Sequence, residues 1–101
     1  MSRIALAHGY IEQLVAGAEI VSTRETDHAV DCMVVHPKRK IDPTSFARAA
    51  KKYSLIVGCT PSASNRNKLI VAYITVADRS AELCVKGTNE GPVHVEVRFR
   101  G

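Results

Sequence analysis

A chain of 101 residues is long enough for one domain, spanning 1–101, with one hydrophobic core that needs no disulfide or metal to hold it. No apolar run approaches the ~20 residues that cross a bilayer, and no basic-then-apolar leader opens the chain, so the sequence reads as soluble, cytoplasmic and free of membrane attachment. The net charge of +4 is unevenly spread: residues 36–68 carry eight Lys or Arg against the single acid Asp42, leaving −3 for the rest.

In chain order, Ser2 is a helix cap, and Ile4, Ala7, Ile11, Leu14, Val15 and Ala18 follow at helical spacing up to a stop at Gly17. Residues 19–24 are β-branched enough for a strand, although the helix could equally continue to Ser22. Glu25-Thr26-Asp27 reads as a turn. The Val-rich stretch 28–36 is then a strand, because β-branched residues crowd a helix and Pro37 forces its predecessor to be extended.

Asp42-Pro43 starts a second helix: aspartate caps, and proline takes the first helical position with its φ already set. Phe46, Ala47, Ala50 and Tyr53 form its apolar face. A short buried strand is expected at 55–57, and 60–67 reads as a mobile loop of small polar residues carrying Arg66 and leading to Lys68.

The last third, 68–100, is expected to be a β-meander. Residues 69–77 are apolar on both faces, with Ile70, Ala72, Ile74 and Val76 on one and Leu69, Val71, Tyr73 and Thr75 on the other, as in a central or covered strand. A four-residue connection at 77–80 would pair Ile74 with Leu83 and Val76 with Ala81. Residues 81–86 and 93–100 alternate apolar and polar, with Val93, Val95, Val97 and Phe99 inward. Setting Glu82 opposite Glu96 would face like charges, so the register with Glu82 opposite Arg98 is expected instead. The fold class is therefore α+β: an antiparallel sheet of five to six strands with two helices packed on one face.

The concentration of cations points to function. Lys38, Arg39, Lys40, Arg48, Lys51, Lys52, Arg66 and Lys68 form a candidate surface for the phosphates of RNA or DNA. The bland alternative is a solvated face that keeps the domain in solution. An aromatic platform on the outer sheet, with Tyr73 near His94, Arg98, Arg100 and Lys86, has too few aromatics for base stacking. Leu69, Val71 and Tyr73 suit a homo-oligomer interface better, and a dimeric assembly module docking an acidic protein surface is the alternative function.

Enzymatic readings find little support. Cys32, Cys59 and Cys84 have no CxxC spacing and read as reduced thiols. Catalysis by Cys59 would need a base and an orienting group that the sequence does not place. His28, Cys32 and His36 are spaced by four, but along a strand that separates neighbours by ~13 Å, too far to share an ion. No metal, no cofactor and no catalytic residue is expected.

Overall fold

The computed structural model describes the backbone of residues 2–52, 61–62, 65–76, 79–87 and 91–100, and side chains over 2–50, 80–87 and 91–99. The chain is α+β, with two helices and an antiparallel sheet in the order β1-β2-β6-β5-β4-β3. The elements are α1 (Arg3–Leu14), β1 (Glu19–Glu25), β2 (Ala29–Val35), α2 (Pro43–Lys52), β3 (Pro61–Ser62), β4 (Asn65–Val76), β5 (Arg79–Lys86) and β6 (Val93–Arg100). Side chains are described on four of these strands, β1, β2, β6 and β5.

Ser2 caps α1 as its sequence suggests, its hydroxyl accepting from the Ala5 N–H at 3.1 Å. The helix presents Ala7, Tyr10, Ile11 and Leu14 to the core. It ends at Leu14, and Gly17, at φ 83°, turns the chain directly into β1. Residues 19–24, open between helix and strand in the sequence, are therefore strand. Arg3 would oppose the helix dipole at this end. It is offset by a carboxylate brought from β1, with Nε donating to Glu25 Oε2 at 2.9 Å. Its other nitrogens donate to the Asp27 and Thr26 carbonyls at 3.1 and 2.5 Å, so one side chain ties α1 to the β1–β2 turn.

Both helices share one core with the sheet. Ile11, Val15 and Phe46 pack with Val30, Cys32 and Val34 of β2, Val93, Val95 and Val97 of β6, and Leu83 and Val85 of β5. Each such side chain contributes roughly 1.5–3 kcal/mol through removal from water. The alternation expected in β6 is present, whereas β5 is buried on both faces from Ala81 to Val85, Glu82 and Cys84 included; Glu82 stands opposite Arg98.

Three expectations in the last half need correction. The connection between β4 and β5 is shorter than four residues, because Val76 pairs with Arg79; Ile74 therefore stands opposite Ala81, and Ala72 opposite Leu83. A register shift between Ile70 and Ala72 also breaks the uninterrupted alternation assumed for 69–77. Finally, the loop assigned to 60–67 contributes strand at both ends: Pro61–Ser62 is β3 and Asn65 already begins β4. Ladder pairing here overrides the weak local preference of small polar residues. Tyr53 and the strand expected at 55–57 lie outside the described residues.

Candidate nucleic-acid interface

The basic segment begins where β2 ends. His36 is half-buried there, and both ring nitrogens are occupied. Nε2–H donates to the Ala16 carbonyl at 3.2 Å, and Nδ1 accepts from the Lys38 N–H at 3.1 Å. A carbonyl only accepts and an amide N–H only donates, so these partners place the donor on Nε2 and the acceptor on Nδ1. The ring thus bridges the exit of α1 to the first residue of the basic loop. Gly17 makes this approach possible: a Cβ there would lie 3.2 Å from His36 Nε2, in a backbone conformation that already favours glycine.

Lys38, Arg39 and Lys40 follow, all exposed, and the chain then dives inward at Ile41. Asp42 caps α2 in a reciprocal pair: Ser45 N–H donates to Asp42 Oδ1 at 3.0 Å, and Asp42 N–H donates to Ser45 Oγ at 3.2 Å. The first turn of α2 is consequently partnered by its own cap and is not a vacant anion site. Gly87, at the end of β5, lets that strand close against α2; a Cβ on it would meet Pro43 Cδ at 3.0 Å.

Along α2, Phe46, Ala47 and Ala50 are buried while Thr44 and Arg48 are exposed. Lys51 and Lys52 occupy positions three and four residues beyond Arg48, one turn along the same side of a helix. Arg66 and Lys68 are not brought to the loop. They lie on β4, three strands from β2, which is roughly 14 Å across a sheet. Lys68 stands opposite Lys86, whose side chain is exposed. The side chains of Lys51, Lys52, Arg66 and Lys68, and those of Leu69, Val71 and Tyr73 on β4, lie outside the described ones.

An open pocket of ≈ 350 Å³ sits beneath the loop, lined by Val34, Val35, His36, Arg39, Lys40, Ile41 and Gly91. Among the described residues no carboxylate is in its walls. Sequence reasoning missed this pocket, because it joins the end of β2, the loop after it and the loop before β6. The one available signal was the basic run 38–40 set between the apolar Val34-Val35 and Ile41.

The outer face of the sheet arranges charge differently. Asp31 of β2 and Glu96 of β6 stand directly opposite one another, a like-charge placement that costs stability. Each is answered by a neighbour: His94 Nε2 lies 3.2 Å from Asp31 Oδ1, and Arg98 Nε donates to Glu96 Oε1. The Glu96 hydrogen bond, followed by its charge, raises the Arg98 pKa further above its ordinary value.

Cysteine chemistry gains little from the structure. A chain of contacts runs from His8 Nε2 to Thr23 Oγ1 at 2.8 Å and on to Cys32 Sγ at 3.9 Å, linking α1, β1 and β2. Cys32 is nevertheless fully buried, and burial pushes its thiol pKa up, with Asp31 adding to the effect and Thr23 opposing it. That is the opposite of what activates a nucleophile. Cys59 lies outside the described residues. Among the described residues no group of three His, Cys, Asp or Glu is placed to hold a metal ion, and no helix is long and apolar enough to cross a membrane. Comparisons with protein-family models, with curated proteins and with solved structures find no match for this chain.

Proposed function

We propose that this chain is a small basic binding module that contacts nucleic-acid phosphates through the segment 36–68 and catalyses no reaction. The observation that carries the reading is the state of Lys38, Arg39, Lys40 and Arg48. All four are exposed, and none forms an ion pair with another described residue. Arg3, His94 and Arg98, by contrast, each meet a carboxylate. Exposed cations with no partner among the described residues can replace the counterions of a polyanion, which is the source of salt-dependent affinity.

Two further features support the reading. Asp42, the one acid in the segment, spends its carboxylate on the cap of α2 and so leaves the neighbouring cations uncompensated. Lys86, at the end of β5, is a further exposed cation without an ion pair among the described residues. A reducing, cytoplasmic setting belongs to the same proposal, with Cys32 and Cys84 both buried.

The test is binding of labelled single- and double-stranded RNA and DNA at about 50 and 200 mM salt, a range over which several phosphate contacts cost orders of magnitude in affinity. Binding at micromolar or tighter that falls steeply with salt is the expected result. Failure of all four nucleic acids to bind at the lower salt would overturn the proposal.

A further inference from the structure

The pocket beneath the basic loop has chemistry beyond a row of cations. Its polar rim is Arg39 and Lys40, and its apolar wall includes the half-buried Val35 and the edge of Ile41. His36 contributes aromatic surface only, because the Ala16 carbonyl and the Lys38 N–H already take both of its nitrogens. A phosphate alone would use the rim and leave the apolar wall in water. A hydrocarbon alone would leave the cations unused. A planar aromatic group carrying a phosphate satisfies both, and ≈ 350 Å³ falls at the small end of the range that holds small organic ligands.

We propose that this pocket receives one unstacked nucleotide, its base against Val35, Ile41 and the His36 ring, its phosphate against Arg39 and Lys40. The inference rests on the nucleic-acid reading above and sharpens it. A paired and stacked base has no access to a pocket of this size, so the site selects single strands over duplex. Lys38 and Arg48 remain outside it for neighbouring phosphates. Bases in single strands stack on aromatic side chains, histidine included, with little regard to sequence, so selectivity for strandedness exceeds selectivity for base.

The experiment compares four probes at about 50 mM salt, where phosphate contacts are strong: a ten-residue oligothymidylate, an abasic strand of equal length and charge, a duplex of equal length, and free thymidine monophosphate. The oligothymidylate is expected to bind about tenfold or more tightly than the abasic strand, the effect of one or two stacked bases. Val35→Phe fills the apolar wall without changing charge. It is expected to bring that ratio close to one while leaving the abasic strand's affinity within about twofold, since the phosphate contacts remain. Should Val35→Phe not fold, methyl NMR of the wild-type chain decides, with Val35 and Ile41 signals shifting on addition of oligothymidylate and not of the abasic strand.

Thymidine monophosphate separates the two sources of such a nucleotide. Shifts of the same methyls mean that the free nucleotide is sufficient, and silence beside a base-dependent strand means that flanking phosphates are required. Equal affinity for abasic strand and oligothymidylate overturns the pocket assignment alone and leaves the phosphate-binding reading standing. No binding of either strand overturns both.

Discussion

The outer face of β2 and β6 and the loop between β2 and α2 are both charged, yet they use charge in opposite ways. On the sheet, Asp31 and Glu96 are forced opposite one another by register, and His94 and Arg98 close around them. On the loop, Lys38, Arg39 and Lys40 follow one another with no acid among their described contacts, while Asp42 turns to its own helix cap. Charges of the first kind are set face to face by the strand register and matched by their neighbours. Charges of the second kind are exposed and have no ion pair among the described residues. The difference separates charge matched within the sheet from charge left exposed on the loop.

Reversing the loop cations breaks this comparison most strongly. Arg39→Glu with Lys40→Glu is expected to weaken single-stranded nucleic-acid binding by about 100-fold or more at 50 mM salt and to flatten the salt dependence by about one unit of slope per lost contact. Thermal stability should stay within about 0.5 kcal/mol, as for surface substitutions that remove no internal partner. A marked loss of stability would show that these cations have a structural role, and the contrast with the sheet would collapse.

Gly17→Val attacks the seam between the two regions. At φ 83° a β-branched residue is strained, and its Cβ would press on His36 Nε2. The expected cost is about 1–2 kcal/mol for the left-handed backbone alone. Displacement of the His36 ring should also release Lys38 N–H and lower base-dependent binding more than binding of an abasic strand. Denaturant unfolding reads the first effect and the oligonucleotide comparison reads the second.

These residues also show where sequence reasoning succeeds. The caps Ser2 and Asp42, the alternating β6 and the Glu82–Arg98 register were legible because each rests on neighbours in sequence or on one unfavourable pairing avoided. The length of the β4–β5 connection was not legible, since an apolar strand with two similar faces pairs almost equally well two residues out of step. The pocket was hidden for another reason: its walls come from separate stretches, with Gly91 some fifty residues from Ile41 along the chain. Cation count singles out the segment 36–68 but not its division, and only the strand order separates Arg66 and Lys68 from the loop.

Cys32 gives a smaller, pH-dependent signature on the core side of the same strand. Its thiol pKa is raised in the folded chain, chiefly by burial, so the folded state holds its proton where the unfolded chain has begun to lose it. The stabilising contribution is complete below the ordinary thiol range near 8.5 and is lost as pH rises toward the folded-state value. Cys32→Ala lowers stability at all pH values through lost packing, but it should flatten the alkaline slope. An unchanged slope would mean that another group controls it.

The His94–Asp31 contact carries the smallest expected effect and the cleanest test of the comparison. Both side chains are partly exposed, so the pair itself contributes only about 0.2–1 kcal/mol. His94→Ala leaves Asp31 facing Glu96 with one fewer neighbour to offset the repulsion. Asp31→Asn removes the repulsion together with the pair. A double-mutant cycle at neutral pH is therefore expected to show His94→Ala destabilising in the parent chain and nearly neutral beside Asp31→Asn. Nucleic-acid affinity should be unchanged in all three variants, because the sheet charges are matched to one another and not to phosphate. If His94→Ala weakens binding as much as it weakens the fold, the sheet face shares the ligand and the two uses of charge are not separate.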